Sequence, residues 1–111
     1  MKDKDPTGRN AKQPGAKLDA GKNRLALCIG GFARALEQVG IITTYGTIKY
    51  TPGGWKKVPD AEERYMDAAF RHLLKHLQGE RLDPESKHPH LAHAAWNILA
   101  VLEFANTPKG K

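Results

Sequence analysis

Cysteine is nearly missing from this sequence: Cys28 stands alone among 111 residues. A single thiol excludes an internal disulfide framework and any CxxC zinc site. Long apolar runs are missing as well. No stretch approaches the ~18 consecutive apolar residues of a membrane span. The polar N-terminus, with Asp3 and Asp5, reads as neither a signal peptide nor a transit peptide. There is no internal repeat and no low-complexity tract. Together these absences point to a small, basic, soluble intracellular domain. With 40% hydrophobic and 27% charged residues, the composition is globular rather than disordered.

The formal net charge is +6, which invites a nucleic-acid partner, so its location matters. Residues 1–23 carry +3, residues 105–111 carry +2, and the long middle, residues 24–104, carries only +1. A domain built to coat phosphate backbones concentrates its cations on the fold. Here they sit mostly at the ends, which argues for a small phosphorylated ligand rather than a polymer.

Residues 1–16 read as a flexible basic arm, residues 17–104 as one all-α domain, and residues 105–111 as a flexible tail. Leu25, Leu27, Cys28 and Ile29 suit a short helical turn before Gly30-Gly31. Phe32, Leu36, Val39 and Thr43 are spaced as one face of a helix over about 32–49, with a strand over the β-branched run Val39–Thr44 as the alternative. Pro52-Gly53-Gly54 marks a loop from which Trp55 folds back onto the core. A second helix is expected over about 60–79, with Asp60 and Glu63 as a capping box and Gly79 as the stop. Its apolar stripe is Met66, Ala69, Phe70, Leu73 and Leu77. A third helix over about 90–104 buries Leu91, Ala94, Ala95, Ile98, Val101 and Leu102. The fold class is therefore all-α: three principal helices in a small bundle. About 80 residues make a marginal core, so a homo-oligomer is expected to complete it.

All five histidines lie between positions 72 and 93. His72 and His76 share a helix face at i, i+4, and His90, His93 and Asn97 share another at i, i+3 and i+7. Glu80, Asp83, Glu85 and Ser86 lie between the two helices. This set suits a divalent cation held by oxygen and nitrogen ligands. It equally suits a phosphate or nucleobase met by His, Arg and Asn donors; His72, His76 and His88 read singly also fit solvated positions, and the alanines beside His90 and His93 also fit close helix packing. Arg71 offers a planar fork for phosphate, and Lys17 and Lys22 offer point charges. Tyr45, Tyr50 and Trp55 cluster with Lys49, either to stack on a base or to fill the core.

Several chemistries are excluded. His72-Leu73-Leu74-Lys75-His76 lacks the Glu of a zinc protease helix. No Gly-x-Ser-x-Gly elbow is present. Gly15 to Lys22 is rich in Gly and Lys but lacks the Gly-Lys-Ser/Thr of a P-loop.

Five motifs occur in order: GAKLDAGK (15–22), YGTIKY (45–50) followed by Trp55, RHLLKHLQGE (71–80), DPES (83–86) and PHLAHAAWN (89–97). This set resembles the bacteriophage dATP/dGTP diphosphohydrolase N-terminal domain family over residues 15–104. The resemblance implies a phage protein in the host cytoplasm, allied with MazG-like enzymes. Those enzymes split a nucleoside triphosphate into monophosphate and pyrophosphate with Mg²⁺ or Mn²⁺. Their Glu-Glu-x-x-Glu motif is not met here, since Met66 follows Glu62-Glu63, and His90-x-x-His93 stands where Glu-x-x-Asp is usual.

The expected site is then Asp83, Glu85 and His93 as catalytic and metal-holding groups. Lys17, Asp19, Lys22, Lys49, Arg71, His72, Ser86, His90 and Asn97 are expected to contact the nucleotide. The expected activity is hydrolysis of purine (d)NTPs. Two alternatives stand beside it: a non-catalytic nucleotide binder that sequesters a defence signal, and a nucleic-acid-binding or structural module.

Overall fold

The computed structural model describes residues 3–108. Residues 1, 2 and 109–111, which include three of the terminal lysines, lie outside the described residues. The chain divides after Gly31 into two compact units.

The first unit is organised around one carboxylate. Asp5 is buried, and its Oδ1 accepts from the Thr7 amide and hydroxyl, both at 2.7 Å. Its Oδ2 accepts from the Lys17 amide at 3.0 Å. Those bonds, the Thr7 hydroxyl first, hold its pKa below the ordinary carboxylate value. The Ala20 amide donates to the Lys4 carbonyl at 2.8 Å, so the segment from Lys4 to Ala20 closes on itself. The expected helical turn is present as α1, Leu25–Gly31, with Leu25, Leu27 and Ile29 exposed.

The second unit is three helices, as the sequence periodicity indicates. They are α2 (Ala33–Lys49), α3 (Ala61–Leu77) and α4 (His90–Asn106). A short 3-10 turn, Gly54–Lys57, lies between α2 and α3. α4 is the central helix, packed on α3 and also against α2. Among the described residues there is no strand; the one ladder contact is an isolated bridge between Leu82 and Pro89. Among the described residues, no single helix is long and apolar enough to cross a membrane.

Helix ends are set by backbone chemistry. Gly79 takes φ +95°, a left-handed conformation that glycine adopts without a Cβ penalty. Its amide bonds the His76 carbonyl while the Glu80 amide bonds the Lys75 carbonyl, closing α3. The start of α3 differs from expectation. Asp60 occupies the N-cap position at φ +54°, and its side chain makes no capping bond. In that conformation its carbonyl, not its carboxylate, engages the helix, accepting from the Arg64 amide.

The core also differs from expectation. On α3, Met66 and Ala69 turn inward, but Phe70, Leu73, Leu74 and Leu77 form an exposed i, i+3, i+4, i+7 stripe. On α4, Ala94 is buried and Val101 half-buried, whereas Leu91, Ala95, Ile98 and Leu102 are exposed. The buried residues of α4 are His90, His93, Ala94, Asn97 and Ala100 along one face, with Ala92 buried apart from them. Small alanines at Ala69 and Ala100 (2% and 3% exposed) permit close helix approach, and the space between helices is taken by polar side chains rather than leucines.

The apolar filling comes from rings. Trp55 folds back as expected, packing edge-on against Trp96 (5.4 Å) and Phe104 (5.5 Å), with Tyr65 beside Trp96 at 5.5 Å. The Tyr65 hydroxyl donates to the Trp55 carbonyl at 3.0 Å. The expected Tyr45–Tyr50–Trp55 grouping is therefore split. Only Tyr45 and Tyr50 lie near the Lys49 ammonium, at 6.0 and 5.4 Å.

Candidate functional site

The buried polar face of α4 meets α3, the 78–89 connection and the C-terminal half of α2. The connection is locally determined. Its strand-like bridge, Leu82 to Pro89, is continued by the Asp83 amide donating to the His88 carbonyl and the His90 amide donating to the Arg81 carbonyl. Within it the Asp83 side chain closes a turn, its Oδ2 accepting from the Ser86 amide three residues on at 2.8 Å. Lys87 completes the turn at φ +66°.

The first chain of contacts runs through two imidazoles. His90 Nε2 lies 2.8 Å from Glu80 Oε2, and His90 Nδ1 lies 2.8 Å from His72 Nδ1. An ionised carboxylate only accepts, so the ring hydrogen of His90 sits on Nε2. With a neutral His90 the hydrogen between the two Nδ1 atoms is assigned to His72, whose Nε2 then carries the lone pair.

Burial, with the neighbouring His93 and His90 adding to it, pushes the His72 pKa down to about 4. His72 is therefore neutral at physiological pH. Its ring stacks on His93 at 4.4 Å with 9° between planes.

The second chain is Ser86 and His93. Ser86 Oγ lies 2.6 Å from His93 Nε2 and accepts from the His88 amide at 3.2 Å. With the His93 hydrogen on Nδ1, the serine hydroxyl donates to Nε2. Burial also lowers the His93 pKa, against the opposing charge of Asp83. Asp83 Oδ2 stands 3.9 Å from the same Nε2. A catalytic triad places its acid on the other ring nitrogen, so this is not a Ser-His-Asp hydrolase, in agreement with the missing elbow. Burial raises the Asp83 pKa, but the Ser86 bonds and the neighbouring imidazoles outweigh it and hold the group below its ordinary value.

At the rim, Glu85 Oε1 accepts from the Tyr45 hydroxyl at 2.9 Å and from the Lys49 ammonium. The Lys49 bond first, then Tyr45, lowers the Glu85 pKa; the same contact raises those of Tyr45 and Lys49.

Most of the residues expected from the sequence are thus brought together. His72, Asp83, Ser86, His90 and His93 form one cluster, with Lys49 and Glu85 paired beside it. Asn97 is buried next to them, but its amide donates back to the His93 carbonyl at 2.8 Å. Arg71 is exposed on α3 next to His72 in sequence. Lys17, Asp19 and Lys22 belong to the N-terminal unit. There Lys17 and Asp19 sit in tight turns, and the Lys22 ammonium lies 3.7 Å from Asp3.

The sequence names Glu80 in the polar set between the helices and Tyr45 beside Lys49, but neither stands among the expected site residues. The signal for Glu80 is its place directly after the helix-ending Gly79, which returns the chain toward α4. An open cleft at Val58, Asp60, Ala61, Glu62, Glu63 and Phe104 shares no residue with the cluster.

The sequence profile of the family described as dATP/dGTP diphosphohydrolase, N-terminal, matches residues 12–111. A protein of Salmonella phage PMBT28, named dATP/dGTP diphosphohydrolase, is 32% identical over 92 residues. That alignment takes in 83% of this chain and 30% of the phage protein, so the chain spans less than a third of that relative's length. No solved structure matches the chain.

Proposed function

This chain belongs to the dATP/dGTP diphosphohydrolase N-terminal domain family, and from that premise we propose that it binds a purine (deoxy)nucleoside triphosphate at the histidine cluster and hydrolyses it. The products are the monophosphate and pyrophosphate: water oxygen bonds to the α-phosphorus and the α–β bridging bond breaks. Family membership carries the reaction class. The cluster built on His72, Asp83, Ser86, His90 and His93 supports the location.

His93, kept neutral by burial, is placed to take a proton from the attacking water, directly or through the Ser86 hydroxyl. Arg71 and Lys49 supply positive charge for the phosphates, and Glu85 holds the Lys49 ammonium at the rim. A divalent cation would neutralise phosphate charge and polarise the scissile group. Two imidazoles and one carboxylate suit a transition ion such as Mn²⁺ better than Mg²⁺, which favours an all-oxygen octahedron.

The uncovered stripes on α3 and α4 support a homo-oligomer, which sedimentation would read directly. We place the protein in the cytoplasm of the infected host.

The test is incubation with dGTP or dATP and Mn²⁺, with detection of pyrophosphate. Turnover is expected, and His93→Ala lowers it at least ~100-fold. Absence of turnover with every common NTP and dNTP overturns the hydrolytic reading. Recovery of an intact bound nucleotide on denaturation would then favour the second reading, a non-catalytic binder, which the missing Glu-Glu-x-x-Glu carboxylates support. Strongly salt-dependent DNA binding would favour a nucleic-acid module instead.

A further inference from the structure

We propose that His72, Asp83 and His90 bind a single divalent transition-metal ion of the borderline class, zinc or cobalt in preference to magnesium, with Glu80 as the carboxylate that orients His90. The inference deepens the reading above by fixing the cation class and its ligands. It rests on that reading for neither its geometry nor its test.

Three observations carry it. One donor atom from each of the three residues lies within 4.8 Å of the other two. The Nδ1 atoms of His72 and His90 face each other at 2.8 Å. A cation with Zn–N bonds of about 2.0–2.1 Å holds neighbouring nitrogens about 2.9–3.4 Å apart, so a movement of a few tenths of an ångström converts a shared hydrogen into a shared metal. Finally, Glu80 sits on the far nitrogen of His90 at 2.8 Å. This is the carboxylate–imidazole arrangement that fixes the tautomer and raises ligand basicity in metal sites.

The rings are held before any ion arrives. His90 is only 3% exposed, and His72 stacks on His93. Asp83 is pinned by the Ser86 amide. Metal binding requires His72 to carry its hydrogen on Nε2 instead of Nδ1. That is a tautomer change with no net release of a proton.

The nitrogen-rich set follows the preference of imidazole for zinc-like ions. Three protein ligands leave a position open for water or a phosphate oxygen. Asp83 is the one carboxylate among the ligands, so the ion and its direct ligands carry net positive charge, offset in part by Glu80 behind His90.

The experiment uses the full chain after chelator treatment. Cobalt(II) is titrated while visible d–d absorption is followed, and Zn²⁺ and Mg²⁺ are titrated by calorimetry. One ion per chain is expected for cobalt and zinc, with no heat from Mg²⁺. His72→Gln and His90→Gln should each weaken binding by about 100-fold or more, and Glu80→Gln by roughly 10–100-fold with unchanged stoichiometry.

Imidazole ¹⁵N spectra of the unaltered protein supply a readout that no variant's folding affects: the Nδ1 resonances of two histidines should move on zinc addition. No binding, unmoved Nδ1 resonances, or equal affinity in folded His72→Gln and His90→Gln would each overturn the proposal. Zinc binding without pyrophosphate release leaves this site standing and removes the hydrolytic reading. Pyrophosphate release with Mg²⁺ by unaltered protein that binds neither cobalt nor zinc does the reverse.

Discussion

Lowering the pH should weaken the metal-free protein well before its carboxylates titrate. Burial carries His72 from an ordinary value of 6.5 down to about 4. At ~1.4 kcal/mol per tenfold change this corresponds to about 3 kcal/mol, and partial exposure trims it to about 2 kcal/mol. Above 6.5 both the folded and unfolded chains hold His72 neutral, so stability is flat. Below 6.5 the unfolded chain takes up a proton that the folded chain refuses until about 4. Stability therefore falls across that window, and His93, lowered in the same direction, adds to the fall.

Asp83 and Glu85 act lower down. Held below their ordinary 3.8 and 4.5, they contribute stability above those values and lose it as pH falls further through their folded values. For a unit of this size, 2 kcal/mol is a fall of roughly 10 °C in Tm. Thermal melts of chelator-treated protein between pH 7 and 4.5 read the effect directly. His72→Gln should start lower and show a shallower slope. A flat wild-type profile, or an unchanged slope in His72→Gln, refutes the reasoning.

Three further outcomes follow from local geometry. A Cβ added at Gly54 would overlap Thr51 Oγ1, so Gly54→Ala should cost about 1–3 kcal/mol, and Thr51→Ala in the same chain should restore most of it in denaturant melts. Lys87 occupies the left-handed region at φ +66°. Lys87→Gly should therefore raise stability by up to about 1 kcal/mol, measured the same way; a loss would show that the lysine side chain contributes a contact of its own. Glu85→Gln removes the carboxylate that raises the Tyr45 pKa, so the phenolate absorbance of Tyr45 should appear at lower pH than in the unaltered protein.

The helices were legible because 3–4 spacing, Gly79 and the Pro-Gly-Gly loop are local signals. Which face of each helix turns inward was not. Periodicity marks an apolar stripe, but it does not say whether the same chain covers that stripe. α4 carries two coherent faces, Leu91–Ile98–Leu102 and His90–His93–Asn97–Ala100. Only the packing partners, α3 and α2, decide that the second is buried.

The histidine cluster was legible at i, i+3 and i+7. The pairing of Glu80 with His90 was not, because it depends on the Leu82–Pro89 bridge that folds the connection back. Asp60 misled for a related reason: its residue type suits a cap, but its backbone conformation directs the carbonyl to the helix instead.

That bridged connection has a kinetic consequence. Glu80, Asp83, Ser86, His90 and His93 fall within one short stretch of chain, and His72 is only 18 residues before His90. Closing so short a loop costs little entropy, and contacts of low sequence separation form early. The histidine cluster should assemble in the same event that pairs α3 with α4. Tyr45, which reaches Glu85 across 40 residues, joins as a later, longer-range step. The expected order places the imidazoles in register before α2 docks, so ligand binding at the cluster and docking of α2 should be separable in time.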